Sequence, residues 1–142
     1  MQFVFESVIL EMEEKSKKVG AKMKSNPLEG KIATIKFDSG LEFRIDFLTN
    51  NQLRWTSTRE EDAGASDVET IYVADYPGGI YSVDWVEESG LCVSYTIDTA
   101  NQYVKSFMTF TDENFRGGRR PFTHEGPFHF ILENGEPDPT PV

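Results

Sequence analysis

The chain has 142 residues, 38% of them hydrophobic and 13% aromatic, and its fourteen Lys and Arg against twenty-four Asp and Glu leave a formal net charge of −10. One domain of this length buries roughly 70% of its unfolded surface, so it can hold a core without disulfide or metal staples. Such a charge repels polyanions, which bind mainly through Lys and Arg on phosphate, and so argues against nucleic acid and an anionic membrane as partners.

Cys92 is the sole cysteine. It falls in a strand-like run, where a buried thiol is expected rather than a nucleophile. The first ten residues, MQFVFESVIL, lack a basic start and carry Glu6, unlike a secretory signal. No apolar run approaches the ~20 residues of a membrane helix, so a soluble cytoplasmic protein, one domain over 1–142, is the expectation.

Residues 1–25 read as a helix. Val4, Phe5, Val8, Ile9 and Met12 recur at three- and four-residue spacing, and Glu11–Lys15, Glu13–Lys17 and Glu14–Lys18 are acid-to-base pairs four apart. Asn26-Pro27 stops it. A short strand over 2–10 before a charged helix is the alternative. The apolar stripe is expected to cover a barrel end or flank, and a homodimer contact is its other use.

From Gly30 onward turn signals recur at strand intervals. Lys31–Phe37 runs into Asp38-Ser39-Gly40, whose Gly suits a tight hairpin. Leu41, Phe43, Ile45 and Phe47 then alternate with Glu42, Arg44 and Asp46, a period of two that marks one buried and one wet face. Asn50-Asn51 turns the chain into a third strand, Gln52–Ser57, with Leu53 and Trp55 inward. Residues 58–67, TREEDAGASD, form a polar loop, and Val68–Asp75 a fourth strand whose facing the pattern leaves open. Gly79–Phe110 supplies three more strands around the turn Glu88-Ser89-Gly90. Thr111–Gly126 reads as a long loop, Pro127–Leu132 as a last strand, and 134–142 as a frayed, proline-rich tail.

Eight short antiparallel strands are most economically closed into an up-and-down barrel, which removes exposed edges and encloses either side chains or one small ligand. Parity then puts Tyr81, Val83, Trp85 and Glu87 on the inner wall, with Leu91, Val93, Tyr95 and Ile97 beside them.

These residues carry a resemblance. Gly79, Ile80, Tyr81, Val83, Trp85, Glu87 and Gly90 meet a hairpin pattern similar to that of the bacterial phenolic acid decarboxylases and the related MoaF-like proteins, and GKIATIKFDSGLEF from Gly30 to Phe43 resembles an earlier segment of the same family. The resemblance implies a calycin-type, lipocalin-like barrel, no cofactor, and for Glu87 the place of a glutamate that gives and takes a proton on a phenolic substrate. It also implies two tyrosines gripping a substrate carboxylate, but Ile35 and Phe37 stand in their places, and Ala65 or Ser66 stands where an arginine would join them. Decarboxylation by the family mechanism is therefore not expected.

Three further features of the sequence bear on function. Arg116, Arg119 and Arg120 with His124 form a local basic patch, which reads as exposed arginines on an acidic surface rather than as an anion site. His124 and His129 are five apart across Gly126-Pro127, not four apart on one helix, so metal is not expected. Glu87 reads either as a solvated acid at a hairpin end or as an inward carboxyl whose burial raises its pKa.

The leading expectation is a lumen that binds one small hydrophobic or aromatic molecule through Ile35, Phe37, Phe43, Trp55, Tyr81, Trp85 and Tyr95. The first alternative is a cofactor-free lyase or isomerase with Glu87 as catalytic acid–base. The second is a structural or partner-binding domain.

Overall fold

The computed structural model describes residues 6–14 and 26–139. Its body is one nine-stranded antiparallel sheet rolled into a nearly closed barrel. In chain order the strands are β1 (Ile32–Lys36), β2 (Glu42–Leu48), β3 (Gln52–Ser57), β4 (Ser66–Thr70), β5 (Tyr72–Tyr76), β6 (Ile80–Val86), β7 (Cys92–Asp98), β8 (Tyr103–Thr111) and β9 (Arg119–Ile131). Around the sheet they follow the order β4-β3-β2-β1-β9-β8-β7-β6-β5.

Nine strands replace the expected eight because the fourth is broken. Ile71 alone separates β4 from β5, and these two are the edges of the sheet. The chain pairs first with β3, then with β6, so one bent segment serves both edges and brings them together. Ile71 is buried at the bend and its amide donates to the Asn51 carbonyl at 2.8 Å.

The last strand differs more from expectation. Residues 119–126 are not loop; they pair with β8 as the first part of β9, and Phe128–Ile131 then pair with β1. At the change of partner stands Gly126, where an added Cβ would lie 1.9 Å from the Lys36 carbonyl oxygen. Only a residue without a side chain lets the two backbones approach so closely.

Alternation explains the rest. Inward positions on successive strands stack Ile35, Ile45, Leu53, Val83, Ile97, Val104 and Phe128 into a core with almost no solvent exposure. Each such side chain contributes on the order of 1.5–3 kcal/mol relative to an exposed position. Asn50 and Asn51 take left-handed φ of 60° and 52° in the β2–β3 turn, a conformation Asn tolerates better than other non-glycine residues and one that matches strand twist.

Residues 6–14 are helical, in line with the stripe, but Val8, Ile9, Leu10 and Met12 are all exposed. The described part of the stripe therefore does not cover the barrel. The remainder of the expected helix, including Val4, Phe5, Lys15, Lys17 and Lys18, lies outside the described residues. The tail is tied back as far as Asp138, whose amide donates to the Phe130 carbonyl at 3.1 Å and whose carboxylate meets Lys31 Nζ at 3.3 Å; residues 140–142 lie outside the described range. No described helix is long and apolar enough to cross a membrane.

Candidate functional site: the barrel mouth

The turns β1–β2 and β6–β7 and the loops β3–β4 and β8–β9 gather at one end of the barrel. There the core gives way to a cavity of about 240 Å³, lined by Leu41, Phe43, Trp55, Ser57, Asp62, Ala65, Trp85, Glu87, Leu91, Val93, Tyr95, Met108 and His124. A larger depression of about 400 Å³ lies along β7–β9, among Asp38, Ser94, Thr96, Lys105, Ser106, Phe107, Thr123, His124 and Glu125. Most of these residues are polar, whereas the mouth cavity is walled chiefly by apolar side chains and sits at the end of the barrel, as ligand sites usually do.

Aromatic rings set at steep angles wall the cavity. Phe43 meets Trp55 edge-on at 6.0 Å between ring centroids, and Trp85 meets Tyr95 edge-on at 4.9 Å. Two of these rings hold carboxylates. Trp85 Nε1 donates to Glu87 Oε2 at 3.1 Å, and Trp55 Nε1 donates to Glu69 Oε2 at 2.9 Å. Both pairings follow from parity: Trp85 and Glu87 are two apart on one face, and Trp55 lies directly opposite Asp67, one inward step from Glu69.

Glu87 is half-buried at the rim. Desolvation holds its carboxyl above the ordinary value of 4.5, the Trp85 N–H partly offsets this, and the charges of Glu69 and Asp67 push it higher again. Asp62 behaves oppositely. It sits in the 3-10 turn Glu60–Asp62, accepts from Arg59 and from Ser57 Oγ, and is held below 3.8, chiefly by the Arg59 hydrogen bond.

His124 lines the cavity beside the β1–β2 turn. Its ring stacks on Phe37 with centroids 3.6 Å apart and an 8° interplanar angle, and Nδ1 is 2.8 Å from Ser39 Oγ in the β1–β2 turn. Burial keeps the imidazole below its ordinary value of 6.5, opposed weakly by Asp38. Nε2 is buried and has no hydrogen-bond partner among the described residues. Its cross-strand neighbour Ser106, which itself lies opposite Tyr95, also has an unpartnered buried hydroxyl.

Of the residues named from sequence, Phe43, Trp55, Trp85, Glu87 and Tyr95 come together around the cavity. Tyr81 and Ile35 do not; both are buried in the core. Phe37 lies behind His124 rather than at the cavity surface. Of the basic patch, Arg116 and Arg120 are exposed, as expected, while Arg119 and His124 are drawn into other contacts. Arg119 is bound to the Thr109 hydroxyl and carbonyl and to the Gly90 carbonyl, Arg120 lies over the Phe115 ring and near Asp112, and His124 points inward on β9. His129 faces the opposite side of that strand, with Nδ1 2.9 Å from Gln102 Oε1.

Three contributors escaped sequence reasoning. Glu69 was hidden by the uncertain facing of the fourth strand, although counting back by twos from Ile71 gives it an inward place. His124 was hidden by Gly126-Pro127, which breaks an otherwise regular inward series of Phe122, His124, Phe128 and Phe130. Asp62 lies in a loop whose acids read as solvated.

A MoaF-like family model matches residues 29–120. The chain belongs to the MoaF-like family. The matched stretch holds β1–β8 and every cavity residue except His124, which lies beyond it. Among solved structures, one described as a "putative beta-lactamase from Burkholderia vietnamiensis" is similar, with a TM-score of 0.66 and 18% identity over 77% of this chain and all of that one. That likeness is one of fold. No curated protein matches the sequence.

Proposed function

We propose that this MoaF-like barrel binds one small, largely apolar molecule in its mouth cavity. The observation that carries this reading is the cavity itself, about 240 Å³ between the rings of Phe43, Trp55, Trp85 and Tyr95, with Leu41, Leu91, Val93 and Met108 completing an apolar wall. Ligand cavities start at about 300 Å³, so a compact occupant of roughly one ring fits. A barrel serving only as a scaffold gains nothing from leaving the space unfilled, since packing it would add dispersion contacts.

Both tryptophans border the space and report on it. A panel of one-ring apolar compounds is expected to shift or quench the tryptophan emission, with Trp55→Phe and Trp85→Phe each removing part of the signal. If no compound perturbs the emission or raises the melting temperature, the cavity is not a binding site.

A second reading has its own observation. The raised carboxyl of Glu87, half-buried at the rim with a single N–H donor, suits general acid–base work in a cofactor-free lyase or isomerase. Ile35 and Phe37 offer no hydrogen bond to a substrate carboxylate, and Ala65, which with Ser66 stands about where the resemblance puts an arginine, lines the cavity. Any chemistry would therefore act on a substrate held otherwise. Under this reading Glu87→Gln abolishes turnover with the fold intact, and an active Gln variant eliminates it.

A further inference from the structure

The mouth cavity has an unbalanced electrostatic character. Besides the Tyr95 phenol, its ionisable lining groups are Asp62, Glu87 and His124, and no Lys or Arg among the described residues lines it. Asp62 is matched by Arg59 at 2.9 Å. Glu87 makes no ion pair among the described residues, and its one hydrogen bond, from Trp85, leaves Oε1 unengaged. Behind it Glu69 is only 6% exposed, is held by the Trp55 N–H, and likewise meets no basic side chain among the described residues. A nearly buried carboxylate without a cation is costly, and a second one close by raises that cost.

The polar atoms left open can each accept a hydrogen bond. His124 is 5% exposed, lines both the cavity and the depression along β7–β9, and leaves Nε2 without a partner among the described residues. When Nδ1–H donates to Ser39 Oγ, Nε2 carries a lone pair. The Tyr95 hydroxyl has no partner among the described residues, and Glu87 Oε1 accepts. The surrounding rings add faces of negative electrostatic potential, the geometry that attracts an ammonium group. An anion would meet the field of Glu69 and Glu87 with no guanidinium or ammonium to receive it. A fully apolar occupant would leave Nε2 and the Tyr95 hydroxyl unpaired in a desolvated site.

We infer that the mouth cavity selects an organic ammonium compound, a body of about one ring carrying a protonated amine that pairs with Glu87 and hydrogen-bonds to His124 between the faces of Trp55 and Trp85. This rests on the reading of the cavity as a ligand site. The amine enters already protonated, so no covalent step is involved.

Three probes share a ring and differ only in head group: benzylammonium, benzyl alcohol and benzoate. Titrated against the full chain by tryptophan emission and calorimetry, benzylammonium is expected to bind about tenfold more tightly than benzyl alcohol, with benzoate weakest. Glu87→Gln should bring the ammonium down to about the level of the alcohol, with near-ultraviolet circular dichroism confirming the fold. His124→Phe, which keeps the stack on Phe37, should weaken the ammonium while Trp emission still responds to it. Benzyl alcohol or benzoate binding as tightly as benzylammonium overturns the cation selectivity while leaving the cavity as a binding site. Equal ammonium affinity in wild type and Glu87→Gln overturns it too. Silence from all three probes overturns the selectivity and the binding reading together.

Discussion

The two halves of the barrel are built from the same strands by the same alternation, yet they differ in what the alternation delivers. Away from the mouth, inward positions hold Ile45, Leu53, Val83, Ile97, Val104 and Phe128, each almost wholly buried. Two or more residues nearer the mouth, the same strands offer Phe43, Trp55, Trp85, Glu87, Leu91 and Met108 around an open cavity. Rings occur at both ends, since Phe128 and Phe130 also meet edge-on in the filled part, so the cavity depends on where the mouth rings stand rather than on ring size. The two carboxylates that the tryptophans hold differ in depth: Glu87 lies at the rim, where water can still reach it, and Glu69 lies deeper, across from Leu53.

This contrast can be broken most severely at Gly126. A Gly126→Ala substitution puts a methyl group 1.9 Å from the Lys36 carbonyl oxygen and 2.8 Å from its carbon, both backbone atoms that cannot swing away. We expect a loss of more than about 4 kcal/mol, seen as failure to fold or a collapsed urea midpoint. Phe128→Ala, at the filled end, comes next, with about 3–5 kcal/mol lost in urea unfolding. Leu91→Ala at the half-buried mouth should cost well under half of that, because the cavity beside it already withholds part of the packing. Equal losses at Phe128 and Leu91 would mean that the mouth is as tightly filled as the base.

Smaller effects separate the rim acid and the histidine of the mouth. The folded chain raises Glu87, so its proton is bound more tightly than in the unfolded chain. The stability this gives is complete below the ordinary carboxyl value of 4.5 and is lost as pH rises through the raised folded value. Glu87→Gln should therefore be more stable than wild type at neutral pH and converge with it in acid. His124 has the opposite sign. Its folded value lies below 6.5, so wild-type stability falls as pH drops from about 6.5 through that lower value, and His124→Phe should flatten this part of the profile. Thermal melts across pH 4 to 8 would show both, and parallel profiles for wild type and the two variants would contradict the assigned environments.

Much of the barrel was legible in the chain itself. The period-two runs at 41–48 and 79–110 gave the strands, their inward faces and their turns, because a residue's side of a pleat is set by parity alone. The same parity put Trp55, Trp85, Glu87 and Tyr95 on the inner wall. It stopped short where pairing partners change. Ile71 and Gly126 each sit at a point where one strand leaves one neighbour for another, and local sequence carries no record of which neighbour that is. The expected loop at 111–126 failed for this reason: glycines, arginines and a proline read as loop until β8 and β1 supply the hydrogen-bond partners that make them a strand.

By itself, then, the sequence determined a mainly β chain, its acidic charge and the aromatic inner wall, since each follows from composition or from contacts between near neighbours. Tertiary structure alone decided which ends of that wall are filled, brought Ser39 to His124 across 85 positions, and set Glu69 behind Glu87 without a cation between them. Closure of the barrel is the physical reason. It joins residues remote in the chain, and the charges and unpaired polar atoms that define the mouth exist only once those strands have met.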